Sequence, residues 1–234
     1  MELVEDRVDI IVPFYPNPDG RKRLKQLEQS IKSVDPGFPC RLVVAEGKQT
    51  VSKNRNFGLR KSDTRYYLAC DDDVKFLEKN WLLKAMNKMK ENPFTGVVGF
   101  RTVDKGGVTT NAGRLLIEKE DGRHNIDLRS IEKKGKLVDI TEDRQVNFVP
   151  GCCMLIDRTV AGFFPEELYT GKINCEDADH QLQIQINGYK IYILGSVTVF
   201  HDNNDFSKKV KKYELKDADA VNHIIFEGRW NINN

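Results

Sequence analysis

The sequence predicts an α/β protein with a mainly parallel central sheet flanked by helices and a small antiparallel excursion. Three observations carry that prediction. Short apolar runs alternate with helix-period segments from residue 7 to residue 92. Their spacing suits strands joined through helices, the arrangement of nucleotide-binding α/β folds. After residue 95 the rhythm breaks into short alternating pieces rich in Gly, Lys and Asp.

The elements follow in order. "RVDIIVPF" (7–14) is a buried strand closed by proline. "GRKRLKQLEQSIKSV" (20–34) is a helix with Leu24, Leu27, Ile31 and Val34 on one stripe. "CRLVVAE" (40–46) is a second strand, "TVSKNRNFGLRKS" (50–62) a short basic helix and "RYYLAC" (65–70) a third strand. In 78–92 the residues Trp81, Leu82, Ala85, Met86 and Met89 form the apolar face of a helix. "TGVVGFRTV" (95–103) reads as a strand, and 104–145 as hairpins. Segment 145–158 gives two strand pieces broken at Pro150 and Gly151. Segment 176–190 is a helix with Ala178, Leu182 and Ile186 inward, ending at Asn187–Gly188. "KIYIL" and "SVTVFH" are late strands. The expected division is one domain over 1–204, with halves 1–103 and 146–204 around the excursion 104–145. A basic tail, 205–234, follows; it is lysine-rich at Lys208, Lys209, Lys211 and Lys212, with one apolar stretch, "AVNHIIF".

Composition narrows the function. The 234 residues are 31% charged with a formal net charge of +2, which fits a well-solvated globular protein. It excludes a disordered tail and a strongly basic nucleic-acid binder, although the lysine run leaves a nucleic-acid acceptor open. "MELVEDRVDII" lacks a signal-peptide layout, and no apolar stretch approaches the roughly 18–20 residues that span a bilayer. A cytoplasmic protein is expected, with peripheral membrane attachment as the alternative. The cysteines, Cys40, Cys70, Cys152, Cys153 and Cys175, are odd in number and form no C-x-x-C pair, so free thiols are expected.

The chemistry concentrates at strand ends. Asp71, Asp72 and Asp73 follow an apolar strand, where open α/β sheets bind ligands. Asp71 and Asp73 point the same way if the extended geometry continues, and such a pair suits Mg²⁺ or Mn²⁺. A solvated turn capping the next helix fits equally well. Glu176, Asp177 and Asp179 stand at a helix start, where acids are favourable with or without chemistry. His201 ends a strand, either as a ligand or as a hydrogen-bonded surface residue.

In this order the motifs resemble the family 2 glycosyltransferases of GT-A fold. "DIIVPFYPN" is similar to the family's opening strand and nucleotide loop. "SKNRNFGLRKSDTRYYLACDDDV" is similar to its R-N-x-G helix and D-x-D strand end. The block from "VNFVPGCC" to "VTVFH" is similar to its acceptor side, through a G-x-F-x-E turn, an E-D-x-D helix and a histidine. Two departures stand out: the second strand ends "VVAEGKQ" without the usual aspartates, and "HQLQIQ" carries glutamines where an arginine is frequent.

The resemblance implies a nucleotide-diphosphate sugar donor, a UDP-sugar first, bound in the 1–103 half. It implies donor contacts at Pro13, Tyr15, Glu46, Arg55, Asn56, Asp71, Asp72 and Gly151, and a metal, Mn²⁺ or Mg²⁺, at Asp71, Asp73 and His201. It places Asp177 as general base and Glu176 beside it as a catalytic, orienting acid, in an inverting transfer to an unspecified acceptor. Two alternatives remain: a nucleotidyltransferase, and a catalytically degenerate domain that binds a sugar nucleotide or a protein.

Overall fold

The computed structural model describes residues 3–47, 50–118, 124–127, 132–133, 136–137, 141–169, 175–202 and 214–230. The first half runs β1 (Val4–Phe14), α1 (Pro18–Ser33), β2 (Cys40–Glu46), α2 (Val51–Arg60), β3 (Thr64–Cys70), β4 (Val74–Phe76) and α3 (Trp81–Glu91). Then come β5 (Thr95–Val103), β6 (Thr109–Asn111), β7 (Leu115–Glu118), β8 (His124–Asp127), β9 (Glu132–Lys133), β10 (Lys136–Leu137) and β11 (Arg144–Val146). The chain closes with β12 (Cys153–Asp157), α4 (Arg158–Ala161), α5 (Glu176–Ile186), β13 (Lys190–His201) and a last helix, here α6 (Glu214–Trp230).

The main sheet has the order β11-β13-β5-β12-β3-β1-β2. β1 is parallel to β2 and β3, and β5 to β13, while β12 runs antiparallel between β3 and β5. The five strands β2, β1, β3, β5 and β13 therefore share one direction, and their carboxyl ends form one edge. The antiparallel excursion is present as β6 against β5 and as the pairs β7–β8 and β9–β10.

Alternation along each strand splits the core between two faces. Val8, Ile10, Val12 and Leu68 pack against Leu27 of α1 and against Trp81, Leu82, Ala85, Met86 and Met89 of α3. Ile11, Tyr67, Ala69 and Ile156 pack on the other face with Leu59 of α2, Ala161 of α4 and Ile184 of α5. Each such large apolar side chain contributes about 1.5–3 kcal/mol on burial. Phe76 stacks on Trp81 at 3.6 Å between centroids and so seats short β4 beside the aspartate triplet.

Several boundaries differ from the expectation for local reasons. α1 starts earlier than residue 20, because Asn17 caps it by accepting from the Gly20 N–H at 2.8 Å and Pro18 opens the first turn. The two late strand pieces are one strand, β13, with a register shift between Leu194 and Thr198. Ile186 was expected to face inward but is 66% exposed at the end of α5; Ile184 occupies the sheet-facing position instead. Within the expected tail, residues 214–230 form α6, while Lys208, Lys209, Lys211 and Lys212 lie outside the described residues. None of the cysteines is joined in a disulfide, and all but Cys40 are buried.

Candidate active site

The triplet leaves β3 at the carboxyl edge of the sheet. The Asp71 N–H donates to the Cys152 carbonyl at 2.8 Å, one step beyond the β3–β12 ladder. β4 then turns back to pair antiparallel with the end of β13, which sets His201 opposite Val74. That register delivers the histidine to the triplet. The Asp202 N–H donates to the Asp73 carbonyl at 3.3 Å and closes the turn.

One ligand atom each from Asp71, Asp73 and His201 lies within 4.8 Å of the others. The His201 Nε2 stands 3.3 Å from Asp73 Oδ1, yet that oxygen is buried and accepts no aligned hydrogen bond. A buried carboxylate oxygen without a donor is costly, and a cation removes the cost. Two carboxylates and one imidazole form a donor set suited to a divalent metal. Burial works against charge on His201, but the neighbouring Cys152 and Asp73 raise its pKa. Such a proton is displaced when an imidazole ligates a metal.

Arg55 joins this group to the second acidic cluster. It projects from α2 and is 2% exposed. Its Nη2 donates to Asp71 Oδ1 at 3.1 Å and to the Gly151 carbonyl at 2.9 Å; its Nη1 donates to Glu176 Oε1 at 3.2 Å. The guanidinium lies 5.2 Å from the Phe164 ring centroid. Burial raises the pKa of Asp71, with Arg55 opposing. Burial and the nearby Asp177 charge push the Glu176 carboxyl up to about 7, again against Arg55.

Asp177 sits between these groups and solvent, half-buried on the first turn of α5. A Cβ at Gly151 would overlap the Asp177 carboxylate, so the glycine makes room for that side chain. The glutamines that replace the expected arginine zip α5 to the segment leading into Gly151. Gln181 accepts from the Val149 N–H at 2.7 Å and donates to its carbonyl at 3.2 Å. Gln185 exchanges hydrogen bonds with the Asn147 side chain at 2.8 Å and its carbonyl at 2.9 Å.

The remaining expected residues separate. Pro13 is buried near the end of β1, and Tyr15, just beyond it, has a phenol raised by burial and by the charge of Glu176. Glu46 is exposed at the end of β2, and residues 48 and 49 after it lie outside the described residues. Asp72 turns to α1, where Arg23 grips it in a fork at 3.0 and 3.1 Å; it is not part of the Asp71–Asp73–His201 group. Asn56 is fully buried and engaged with the "GFFPEE" turn. It donates to the Phe164 carbonyl and to Glu166 Oε1, each at 2.8 Å, and accepts from the Phe164 N–H at 2.9 Å. Arg23 and Tyr169 are structural partners that sequence reasoning did not single out; a basic cluster after β1 was the only signal for Arg23.

Two outcomes follow from these contacts. Asn56→Ala strands the buried Phe164 N–H and carbonyl, and is expected to cost about 2–4 kcal/mol of stability in urea unfolding. A loss under 0.5 kcal/mol would contradict the pairing. Glu176 favours folding below its unfolded pKa near 4.3 and loses that contribution as pH rises through about 7. The Tm of Glu176→Gln relative to wild type is therefore expected to improve from pH 5 to pH 8. A pH-independent difference would show that the carboxyl is not raised.

Solved glycosyltransferases share the fold. TarS of S. aureus, residues 1–349, superposes with a TM-score of 0.54 at 16% identity over 84% of this chain and 60% of that one. The catalytic domain of Drosophila beta1,4-galactosyltransferase 7, solved with xylobiose, gives 0.53 at 16% identity over 92% and 79%. GalNAc-T7, solved with UDP, GalNAc and Mn²⁺, gives 0.52 at 13% identity over 83% and 37%. This chain thus spans little more than half of the TarS fragment and about a third of GalNAc-T7. The fold class is that of the GT-A sugar transferases. The glycosyl transferase family 2 model matches residues 10–162, more than half of the chain, and the chain belongs to that family of glycosyltransferases. No curated protein matches it in sequence. The matched span holds Arg55, the triplet and Gly151 but ends before Glu176, Asp177 and His201, whose placement rests on the geometry.

Proposed function

We propose that the chain transfers a sugar from a nucleoside-diphosphate sugar, a UDP-sugar first, to an acceptor hydroxyl, by a metal-dependent inverting reaction with Asp177 as general base. The observation that carries this reading is the Arg55 bridge, which joins Asp71 at the candidate metal group to Glu176 beside Asp177. Asp71, Asp73 and His201 would hold Mn²⁺ or Mg²⁺. When bound, such a cation offsets the negative charge of the diphosphate. Tyr15 and Glu46 stand at the strand ends where a nucleoside would lie, and the Gly151 backbone borders the sugar. The acceptor oxygen bonds to the anomeric carbon as the bond from that carbon to the diphosphate oxygen breaks. The hydroxyl proton passes to the Asp177 carboxylate, and Glu176 orients the acceptor or the sugar. One displacement inverts the anomeric centre.

A donor screen for released nucleoside diphosphate, run with Mn²⁺, with Mg²⁺ and with chelator, tests the reading. One donor is expected to be turned over, including slow hydrolysis without acceptor, only with metal. Binding without turnover of any donor would leave a sugar-nucleotide-binding domain. Among the described residues no helix is long and apolar enough to cross a membrane.

A further inference from the structure

We propose that Asp179 is a positioning residue for the transfer, and that α6 is the clamp through which it fixes the first turn of α5. The proposal rests on Asp177 being the base. Asp179 is 2% exposed and lies two residues past Asp177 in α5. A single oxygen, Oδ2, accepts from the Tyr169 hydroxyl at 2.6 Å and from the Trp230 indole N–H at 3.1 Å, and meets Arg229 Nε at 3.2 Å. Charge-assisted bonds of this kind are the strong ones, and a buried carboxylate needs them. Burial and the bond to Asp179 raise the Tyr169 phenol, which keeps it protonated as a donor.

Arg229 and Trp230 belong to the last turn of α6, and apolar packing backs them. Phe226, 2% exposed, sits with Phe148, Tyr169, Cys175 and Leu182, with Trp230 packed against the group. That cluster touches both walls of the base position. Phe148 precedes the Pro150–Gly151 turn whose glycine abuts Asp177; Cys175 and Leu182 belong to α5 and its cap. Glu176 is held on one side by Arg55 and Asp179 on the other by the clamp. Asp177 is thus left half-exposed on a backbone fixed at Glu176 before it and at Asp179 two residues after it. Displacing a reacting group by about 1 Å costs up to roughly 10²-fold in rate, so a frame of this kind matters for turnover rather than for donor affinity.

The test compares wild type with Asp179→Asn, Trp230→Phe and Asp177→Asn in Mn²⁺-dependent nucleoside-diphosphate release, well below each Tm. Trp230→Phe keeps an aromatic ring at this partly buried position and removes the indole N–H together with its five-membered ring, so it serves if Asp179→Asn folds poorly. Asp179→Asn and Trp230→Phe are expected to lower kcat roughly 10- to 100-fold with donor KM within about twofold. The double variant is expected to lose less than the product of the two, because both break one network. An unchanged kcat in Trp230→Phe, or a lowered Tm with kcat and KM both preserved, overturns the clamp while Asp177→Asn remains inactive. If Asp177→Asn itself turns over normally, the base assignment fails and the clamp falls with it.

Discussion

Asp177→Asn is expected to bind donor normally and to lose transfer by about 10²–10⁴-fold, the usual contribution of a general base. The replacement has the same shape, and the space at Gly151 that admits the carboxylate admits the amide. The backbone of α5 stays held by Arg55 at Glu176 and by the Gln181 and Gln185 bonds to the 147–149 segment. Calorimetry with nucleoside diphosphate should therefore match wild type, while single-turnover transfer collapses. Turnover within a few-fold of wild type would assign proton removal elsewhere, with Glu176 the next group to replace.

The second large effect is expected at Asp73. Its Oδ1 accepts no aligned hydrogen bond, so Asp73→Ala removes a buried oxygen and loses only the 3.3 Å contact with the His201 imidazole. Stability without metal should be unchanged or slightly higher. The response to Mn²⁺ should disappear: a ligand that binds only the folded state adds about 2.7 kcal/mol at one hundred times its Kd. Thermal unfolding with and without Mn²⁺ reads this directly, and nucleoside-diphosphate release should fall to the level seen with chelator. A variant that keeps the full Mn²⁺ shift would place the cation away from this group. Asp72→Ala supplies the contrast: it frees Arg23 of α1 and should weaken the protein while leaving the Mn²⁺ response in place.

Much of this was legible in the sequence because burial on one face leaves a period. The α3 stripe from Trp81 to Met89 is wholly buried as its spacing predicts, and the second half of β1, from Ile10 to Phe14, is apolar on both sides because helices cover both faces of its sheet. The acids and the histidine stood out because like charges at strand ends are costly without a partner. Other features left no local trace. β4 has three residues, too few for a period, yet it sets the register that brings in His201. Asn56 and Phe164 are partners 108 residues apart, and neither side chain announces the other. The end of the chain drew attention through its lysines, whereas the contact that reaches the site is Trp230 on Asp179, 51 residues back. The glutamines of α5 read as a departure from a motif; their function as a strap to the 147–149 segment depends on a neighbour in space.

The pairing of β4 with the end of β13 has one more implication. Asp73 and His201 enter from opposite ends of the chain's ordering, so their meeting depends on the last strand arriving in register. Cation affinity then becomes a gauge of completed assembly: a substitution at Val199 or Phe200 that loosens only this short ladder should leave bulk helicity intact and erase the manganese response. The same ladder would let the ion act as a thermodynamic rivet between early and late segments, strengthening the molecule most where its topology is slowest to close.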